Sequence, residues 1–303
     1  MEKKIPLRGY IVCMCIMLVG ALILGYPSFS SWWADHVQRD IATNYTKQMI
    51  SADSAMLEAE IQKAEYYNER LAETGAILTD PFDFDVKTVL GGEYLDMLAV
   101  TDVMATIEIP SIALNLPIYH GTSEQTLEKG IGHLASTSLP VGGKTSNCVL
   151  TGHTGLPNKT LFTNIDQLKS GDYVILHTLN HTYTYEVQDS EVIEPEDLQK
   201  IIMEDGLDQL TLITCTPYGV NSHRLLVHCL RVFPENLKGE EQERFAQKMQ
   251  VQAPLTTVQI AELVAASFAL VLFLWILIRI VRVIHHNRKV QKQETLADDF
   301  KAL

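Results

Sequence analysis

Residues 211–232 read TLITCTPYGVNSHRLLVHCLRV. Apolar residues run up to Cys215, Pro217 and Gly219 then supply turn residues, and a second apolar strand begins near Arg224. A cysteine within a strand is most often a small apolar core residue. This one ends its strand, and an arginine stands just beyond the turn. The stretch therefore predicts a β-hairpin with a candidate thiol nucleophile at its mouth.

Short strands separated by Gly and Pro turns fill residues 104–235, of which this hairpin is the last part. Further strands are predicted in ATIEIPSIALNLPIYHG, SNCVLTGH and DYVILHTLNHTYTYEVQDSEVI. The last of these is predicted to be a hairpin that turns near Asn180 and His181. Many short strands with such turns are typical of closed all-β architectures. We therefore predict a mainly β fold, organised as a small closed β-barrel.

The segment before the barrel has a different pattern. Apolar residues recur at helical spacing over residues 35–75 with charged residues between them, which predicts one or two amphipathic helices. Pro81 ends this pattern and pushes Asp80 towards an extended conformation. Residues 76–87 are therefore predicted to form a linker or a loop laid over the barrel.

Two long apolar blocks lie outside the β pattern. Residues 10–26 carry no charge and are about long enough to cross the hydrocarbon core of a membrane. A signal peptide is the alternative, although no small-x-small cleavage site follows. The second block, residues 258–284, has an uncharged core from Leu263 to Ile278, and a buried globular helix is its alternative. We predict transmembrane helices at 10–26 and 258–280.

Basic residues flank the outer end of both blocks. The positive-inside rule therefore predicts a protein of the cell membrane with both termini in the cytoplasm and the stretch between the two helices outside the cell. The predicted divisions are a cytoplasmic N-terminus at 1–9, an extracellular helical segment with a loop at 27–103, the barrel at 104–235, a linker at 236–257 and a cytoplasmic tail at 281–303.

Composition excludes several function classes. The net charge of -13 argues against a nucleic-acid partner. No CxxC or His-x-x-His spacing indicates a metal site. The stretch between the two predicted membrane helices contains Cys148, Cys215 and Cys229. At least one of these three is therefore unpaired unless a bridge joins two chains. The sequence leaves open whether Cys148 and Cys229 pair with each other.

His153 is the candidate partner for the Cys215 thiol, since a nucleophilic thiol needs a nearby base or cation. It lies in VLTGHTGLP, where a strand ends and a Gly-Pro loop opens. If strands 147–151 and 209–215 run parallel and side by side, their ends bring His153 and Cys215 to one rim. Arg224 can reach the same rim and stabilise an oxyanion. From residue types alone, a non-catalytic anchored binding domain stays open.

These segments resemble the sortases. TLITC resembles the TLxTC signature of that family, and Arg224 resembles its third catalytic residue. The resemblance covers about residues 60–235 and is closest to class C, the pilus-assembling sortases, many of which have a C-terminal membrane segment. It is carried by IEIPSIALNLPIYHGTSEQTLEKGIGHL, SLPVGG, VLTGHTGLP, LFTNIDQLKSGD and TLITCTPYGVNSHRLLV.

The resemblance implies a fold and three roles. The fold would be a closed eight-stranded β-barrel with short helices, an N-terminal helical and lid segment, and two transmembrane helices. Cys215 would be the nucleophile, and Arg224 would hold the substrate carbonyl and the tetrahedral oxyanion. His153 would protonate the leaving amine and later act as base for the incoming one. No metal and no organic cofactor is implied.

The implied reaction is a transpeptidation. Cys215 would attack the Thr–Gly bond of an LPxTG-like sorting signal, and a lysine amine of another pilin would resolve the thioester as an isopeptide bond. The partners would be pilins or other surface proteins with such signals, together with the lipid bilayer. A sortase that anchors proteins to the cell wall and a hydrolytic cysteine peptidase stay open as alternatives. The sequence carries no signal for the oligomeric state.

The loop at 80–82 resembles the lid of class C sortases, which has the motif Asp-Pro-aromatic. By analogy with that class, Asp80, Pro81 and Phe82 would form the lid, in which Asp80 would pair with Arg224 and Phe82 would cover Cys215. A carboxylate neutralises a guanidinium and a ring excludes water from a thiol, so this arrangement is physically reasonable. An ordinary Asp-Pro turn is the alternative.

Residues near the thiol are further candidates for substrate contact. Thr214 directly precedes the cysteine, and Tyr218 and Asn221 lie in the predicted turn. His120 and His133 also lie in segments that resemble class C, but we expect them to be buried or capping histidines without a catalytic role.

Overall fold

The computed structural model of the protein describes residues 8–74, 93–156, 158–250 and 257–301. Contacts divide them into two compact units, one within Ser31–Pro254 and one within Met1–Ser30 and Leu255–Leu303. The first unit contains the barrel and the candidate site. The second contains the two apolar blocks.

Within the described residues, helices precede and follow a region of short strands. The helices are α1 (Arg8–Ser51), α2 (Ser54–Thr74), α3 (Glu124–Lys129), α4 (Glu240–Gln250) and α5 (Thr257–Lys301). The strands are β1 (Ala105–Ile109), β2 (Leu114–His120), β3 (Ile131–His133), β4 (Ser146–Thr151), β5 (Tyr173–Thr178), β6 (His181–Ile193), β7 (Asp208–Thr216) and β8 (His223–Val232). Short 3-10 turns lie at Tyr94–Asp96, Pro110–Ile112, Ile165–Gln167, Leu198–Ile201 and Pro234–Asn236.

The strands close into a barrel in the order β1-β2-β3-β4-β7-β8-β6-β5. Neighbours are antiparallel except for β2 with β3 and β4 with β7, which are parallel. The predicted eight-stranded closed barrel is therefore confirmed. The predicted β5–β6 hairpin is confirmed too, because Thr178 pairs with His181 across a two-residue turn.

Two apolar cores, one on each face of the barrel wall, fix the register of its strands. In β4, Cys148 and Leu150 belong to the larger core, whereas Val149 belongs to a smaller cluster on the other face. β7 repeats this alternation, with Leu212 in the larger core and Ile213 in the smaller cluster. Successive strand residues point to opposite faces, so a slip by one residue would exchange the two sets.

The strand register also answers the question of the cysteine pair. Cys148 in β4 and Cys229 in β8 both pair with Leu210 of β7, one from each side. Two strand spacings separate them, roughly 9–10 Å between backbones, which exceeds the Cα distance that a disulfide spans. Both thiols are buried and free. Burial raises the pKa of both thiols, which keeps them protonated and inert.

The helices that precede the barrel in the sequence pack against it. The helical prediction for residues 35–75 is confirmed by α1 and α2. Asn68 of α2 is buried, its amide nitrogen donates to the carbonyls of Leu139 (3.1 Å) and Gly142 (2.9 Å), and its oxygen accepts from the Leu139 N–H (2.7 Å). One side chain thus ties α2 to the loop before β4.

The segment predicted as a linker, 236–257, contains a docked helix in its described part. Phe245 of α4 packs edge-on against Tyr173 of β5, with ring centroids 4.8 Å apart. Lys248 donates to the Gly171 carbonyl at 2.6 Å and to Asp172 Oδ1 at 3.0 Å. Sequence reasoning missed this helix because its residues are mostly polar and exposed, which gives only a weak helical pattern of apolar residues.

The C-terminal apolar block contains a helix that could cross a membrane. Within the described residues, Ser267–Lys292 (26 residues) is long and apolar enough to cross a membrane, with a mean hydropathy of 2.4 over an 18-residue window. It overlaps the predicted span at 258–280. Arg8–Ile23 and Gly25–Ser51 would make a second span only if these two pieces, bent by 41°, count as one. The span predicted at 10–26 stays a prediction.

The Asn68 contacts yield a stability prediction. Asn68→Ala leaves the Gly142 carbonyl and the Leu139 N–H without their partner and removes one of two bonds to the Leu139 carbonyl, so the free energy of unfolding should fall by about 2–3 kcal/mol. Urea denaturation of the purified protein measures this change. Glu69→Ala, at the exposed next residue of α2, should leave the midpoint unchanged. Equal midpoints for the two variants would contradict the assignment.

Candidate active site

Cys215 and Arg224 face each other across the β7–β8 hairpin. They are direct register partners in this antiparallel pair. Side chains of directly opposed residues lie on one face with Cβ atoms about 4.5–5.5 Å apart. By the alternation along β7, this is the face of Ile213, outside the barrel interior. The thiol and the guanidinium therefore share one outer surface at the end of the barrel.

The guanidinium of Arg224 is held by the turn that follows β7. Its Nη1 donates to the carbonyls of Asn221 and His223, both at 3.2 Å. The turn closes on itself through bonds from the backbone N–H groups of Val220 and Asn221 to the Pro217 carbonyl, each 3.0 Å. Asn221 thus acts here through its carbonyl and its left-handed backbone (φ 61°). The predicted substrate contact of its side chain stays a prediction.

His153 reaches the same rim because β4 and β7 are parallel neighbours. Thr151 pairs with Ile213, and one residue further the Gly152 N–H donates to the Ile213 carbonyl at 3.2 Å. The parallel pairing expected from the sequence is therefore confirmed. Both strands end at one edge, where His153 follows β4 and Cys215 lies two residues beyond Ile213.

Gly152 lets the chain turn at this edge. A Cβ atom there would lie 2.7 Å from Ile131 Cδ1 and 2.9 Å from Phe162 Cγ, closer than packed carbon atoms approach. Only glycine therefore fits between these side chains. The His153 carbonyl next accepts a hydrogen bond from the Phe162 N–H at 3.1 Å, which fixes the backbone of the histidine.

Thr214 links β7, which carries Cys215, to the loop that carries His153. Its hydroxyl donates to the Gly152 carbonyl at 2.7 Å, and the side chain is only 3% exposed. The residue before Cys215 thus bonds to the residue before His153. The structure assigns this hydroxyl to positioning, and the substrate contact predicted for Thr214 stays a prediction.

Tyr218 lies over the loop that follows His153. A Cβ on Gly155 would meet the Tyr218 ring at 3.1 Å, so the ring rests on the bare Cα of this glycine, which also has a left-handed φ of +73°. Tyr218 remains 68% exposed. An exposed aromatic ring beside the thiol suits a wall of a substrate groove, and that predicted role stays a prediction.

The environment of His153 favours a neutral imidazole. Burial lowers the pKa of His153 below its usual value, and the carboxylates of Glu124 and Glu128 on α3 act in the opposite direction. At neutral pH the ring is therefore mostly uncharged and able to accept a proton. Sequence reasoning missed the two glutamates, whose only signal is their i, i+4 spacing on one helix face.

Two other predicted residues are structural, as expected. His133 is fully buried, its Nε2 lies 2.8 Å from the Ser138 carbonyl, and its Nδ1 lies 2.9 Å from the Tyr94 hydroxyl. Burial lowers the pKa of His133 to about 4. His120 Nε2 lies 2.7 Å from the Met97 carbonyl. Both rings hold the barrel to the loop before β1.

Two further predictions concern the lid residues and the absence of a metal site. Asp80, Pro81 and Phe82 fall outside the described residues. Within residues 8–74, 93–156, 158–250 and 257–301, no three His, Cys, Asp or Glu side chains gather in a way that would hold a metal ion.

The site has counterparts in known proteins. A family model described as "Sortase domain" matches residues 107–232. The crystal structure of sortase C-1 from Actinomyces oris is 49% identical with a TM-score of 0.56, and the match covers 59% of this chain and 99% of that chain. A Streptococcus pneumoniae sortase C is 38% identical with a TM-score of 0.60, covering 64% and 97%. The sortase A of Bacillus anthracis is 28% identical over 217 residues, covering 72% of this chain and 91% of that protein.

The electrostatics of His153 yield a prediction that needs no substrate. Glu124→Gln and Glu128→Gln should each lower the pKa of His153 further, because each removes a negative charge that favours the imidazolium. Histidine-detected NMR titration measures this, with the His153 signals assigned through His153→Gln. Glu235→Gln, just past the other end of β8, serves as control. An unchanged or raised pKa in both α3 variants would refute the coupling.

Proposed function

The chain belongs to the sortase family, within class C, and we propose that it is a membrane-anchored cysteine transpeptidase that assembles pili. It cleaves an LPxTG-like sorting signal between Thr and Gly and joins the new acyl group to a lysine amine of another pilin. The observation that carries the proposal is the direct Cys215–Arg224 pair. Parallel pairing of β4 with β7 adds His153 to the same rim.

The first half of the proposed reaction forms a thioester. Neutral His153 takes the thiol proton of Cys215, and the sulfur attacks the carbonyl carbon of the Thr residue. Arg224 stabilises the oxyanion of the tetrahedral intermediate through its fixed positive charge. The imidazolium of His153 then gives its proton to the leaving Gly nitrogen, and the C–N bond breaks. The products are an acyl-enzyme and a free amine.

The second half transfers the acyl group. A lysine ε-amine attacks the thioester carbonyl while His153 accepts a proton from that nitrogen. The tetrahedral intermediate collapses, the C–S bond breaks, and Cys215 leaves as a thiolate that His153 reprotonates. The new bond is an isopeptide. A thioester suits this exchange because amines attack it readily and because the covalent step divides one hard transfer into two easier ones.

The choice of pilins as substrates is supported by the class of the solved relatives. These are sortases C, and the S. pneumoniae structure is described as informing pilin substrate specificity. We extend that substrate class to this chain. The same chemistry with a cell-wall amine or with water as acceptor gives wall anchoring or hydrolysis, and the experiment below distinguishes polymerisation from both.

The proposed location is the cell membrane. Ser267–Lys292 is the better supported of the two spans, and residues 10–26 supply the other. Basic residues beyond the outer end of each block favour cytoplasmic termini. The unit that contains Cys215 then faces the outside of the cell, where secreted pilins arrive.

We further propose that Asp80, Pro81 and Phe82 form a lid over the thiol. The proposal rests on the resemblance of this motif to the class C lid. Asp80 neutralises Arg224 and Phe82 covers Cys215 until the lid moves and substrate enters.

Polymerisation by the full-length protein in detergent is the test of the function. Secreted proteins that end in an LPxTG-like motif, an apolar run and a basic tail should form high-mass ladders that survive boiling in detergent. Cys215→Ala should abolish the ladders. Arg224→Lys keeps the charge but loses the planar fork, so thioester formation should slow by about a hundredfold. Cleavage without ladders would instead indicate wall anchoring or hydrolysis.

The lid predicts a change in thiol reactivity. Asp80→Ala and Phe82→Ala should each speed the modification of Cys215 by a neutral thiol reagent, because each removes part of the cover. Peptide mapping isolates Cys215 from the other thiols. Asp83→Ala, three residues after Asp80, is the matched control. The lid proposal fails if all three variants react at the wild-type rate.

A further inference from the structure

Residues of α1 beyond Ser31 belong to the same compact unit as the barrel. Polar contacts fix this part of the helix to the barrel. Arg39 Nη2 donates to the Ala113 carbonyl at 3.0 Å. The Tyr45 hydroxyl donates to the Met104 carbonyl at 3.0 Å and accepts from the Leu179 N–H at 2.8 Å. The helix is therefore a fixed support for whatever else it contacts.

One of its carboxylates contacts the loop that carries His153. Asp35 Oδ2 accepts a hydrogen bond from the Thr160 hydroxyl at 2.7 Å, and Asp35 Oδ1 accepts from the Thr160 N–H at 3.3 Å. Hydrogen bonds to an ionised acceptor are roughly twice as strong as neutral ones. The two residues lie 125 positions apart in the sequence.

Thr160 in turn belongs to a bonded network around His153. The Thr160 carbonyl accepts from the Thr163 N–H at 2.9 Å, and the Thr163 hydroxyl oxygen accepts from the Gly155 N–H at 3.1 Å. The His153 carbonyl accepts from the Phe162 N–H at 3.1 Å. A shift of Thr160 would therefore move partners of both His153 and Gly155.

The same turn of α1 also contacts α3, the helix that carries Glu124 and Glu128. Gln38 donates its side-chain amide to the Lys129 carbonyl at the end of α3. Lys159, next to Thr160, donates to the Glu128 carbonyl. One helical turn thus bonds to both elements that flank His153, the loop after β4 and the helix whose charges act on its imidazole.

We propose that the Asp35–Gln38 turn of α1 braces His153 for catalysis, with Asp35 as a positioning residue that acts through Thr160. The inference rests on the acid–base role proposed for His153. Proton transfer requires that the imidazole stay within hydrogen-bond reach of both sulfur and leaving nitrogen. Loops move more than the elements they connect, so a histidine on a loop needs such a support.

The helix offers a matched control one turn away. Asp40 is exposed and pairs with His36 of the same helix, at 3.9 Å. Asp40→Ala therefore removes a carboxylate of α1 without touching the His153 loop. Thr160→Ser keeps the hydroxyl donor to Asp35, whereas Thr160→Val removes it at nearly constant volume.

The test uses the full-length protein in detergent and has two readouts. The first is cleavage of a fluorogenic LPxTG-like peptide, dependent on Cys215. Asp35→Ala and Thr160→Val should each lower kcat about tenfold with little change in KM, since small displacements of a catalytic group cost one to two orders of magnitude. Their combination should cost no more than Asp35→Ala alone, because the hydroxyl bond that Thr160→Val removes is one of the two bonds that Asp35→Ala removes. Thr160→Ser and Asp40→Ala should keep wild-type kcat.

The second readout needs no substrate. Hydrogen exchange at the amides of Gly155, Phe162 and Thr163 should speed up in Asp35→Ala and Thr160→Val but not in Asp40→Ala. Wild-type exchange in the first two variants would overturn the brace, as would an equal loss of kcat in Asp40→Ala. If the wild-type protein cleaves no such peptide, the proposed function fails. The hydrogen-exchange rates of the variants would still test whether Asp35 holds the His153 loop in place.

Discussion

The register of three neighbouring strands is the constraint on which the site depends. β4 and β7 run parallel and end at one edge, and β7 and β8 run antiparallel with Cys215 opposite Arg224. A slip of one residue between β7 and β8 would turn one of these side chains to the other face of the wall. Apolar cores on both faces oppose such a slip, because Leu212 and Ile213 would exchange environments.

Close packing converts this register into a defined rim. Gly152 passes between Ile131 and Phe162 where a methyl group would not fit. The Thr214 hydroxyl bonds across to the Gly152 carbonyl. The residue before Cys215 and the residue before His153 are thereby joined, so the barrel wall itself sets the relative placement of the Cys215 and His153 backbones. The burial that achieves this also keeps His153 mostly neutral.

The structure confirms the predicted hairpin and the predicted parallel pairing of β4 with β7, whereas the roles of the site residues stay a proposal. The hairpin follows from alternating apolar residues around Pro217, and Cys215 and Arg224 follow from their places at its strand ends. His153 follows from a strand that runs into a glycine. Asp35 had no such signal, because nothing in a helix sequence indicates that one carboxylate bonds to a loop 125 positions away. Helix α4 was missed because its residues are mostly polar and exposed.

The sequence by itself determined the strands, the closed β architecture and the candidates for the reactive side chains, because these depend on local periodicity and residue chemistry. The tertiary structure alone decided which side chains from different strands and loops lie next to each other. It keeps Cys148 and Cys229 apart on either side of Leu210 and directs Thr214 to Gly152. The physical reason is that strand pairing and hydrogen bonds between distant segments depend on the register of the whole barrel, which no short stretch of sequence specifies.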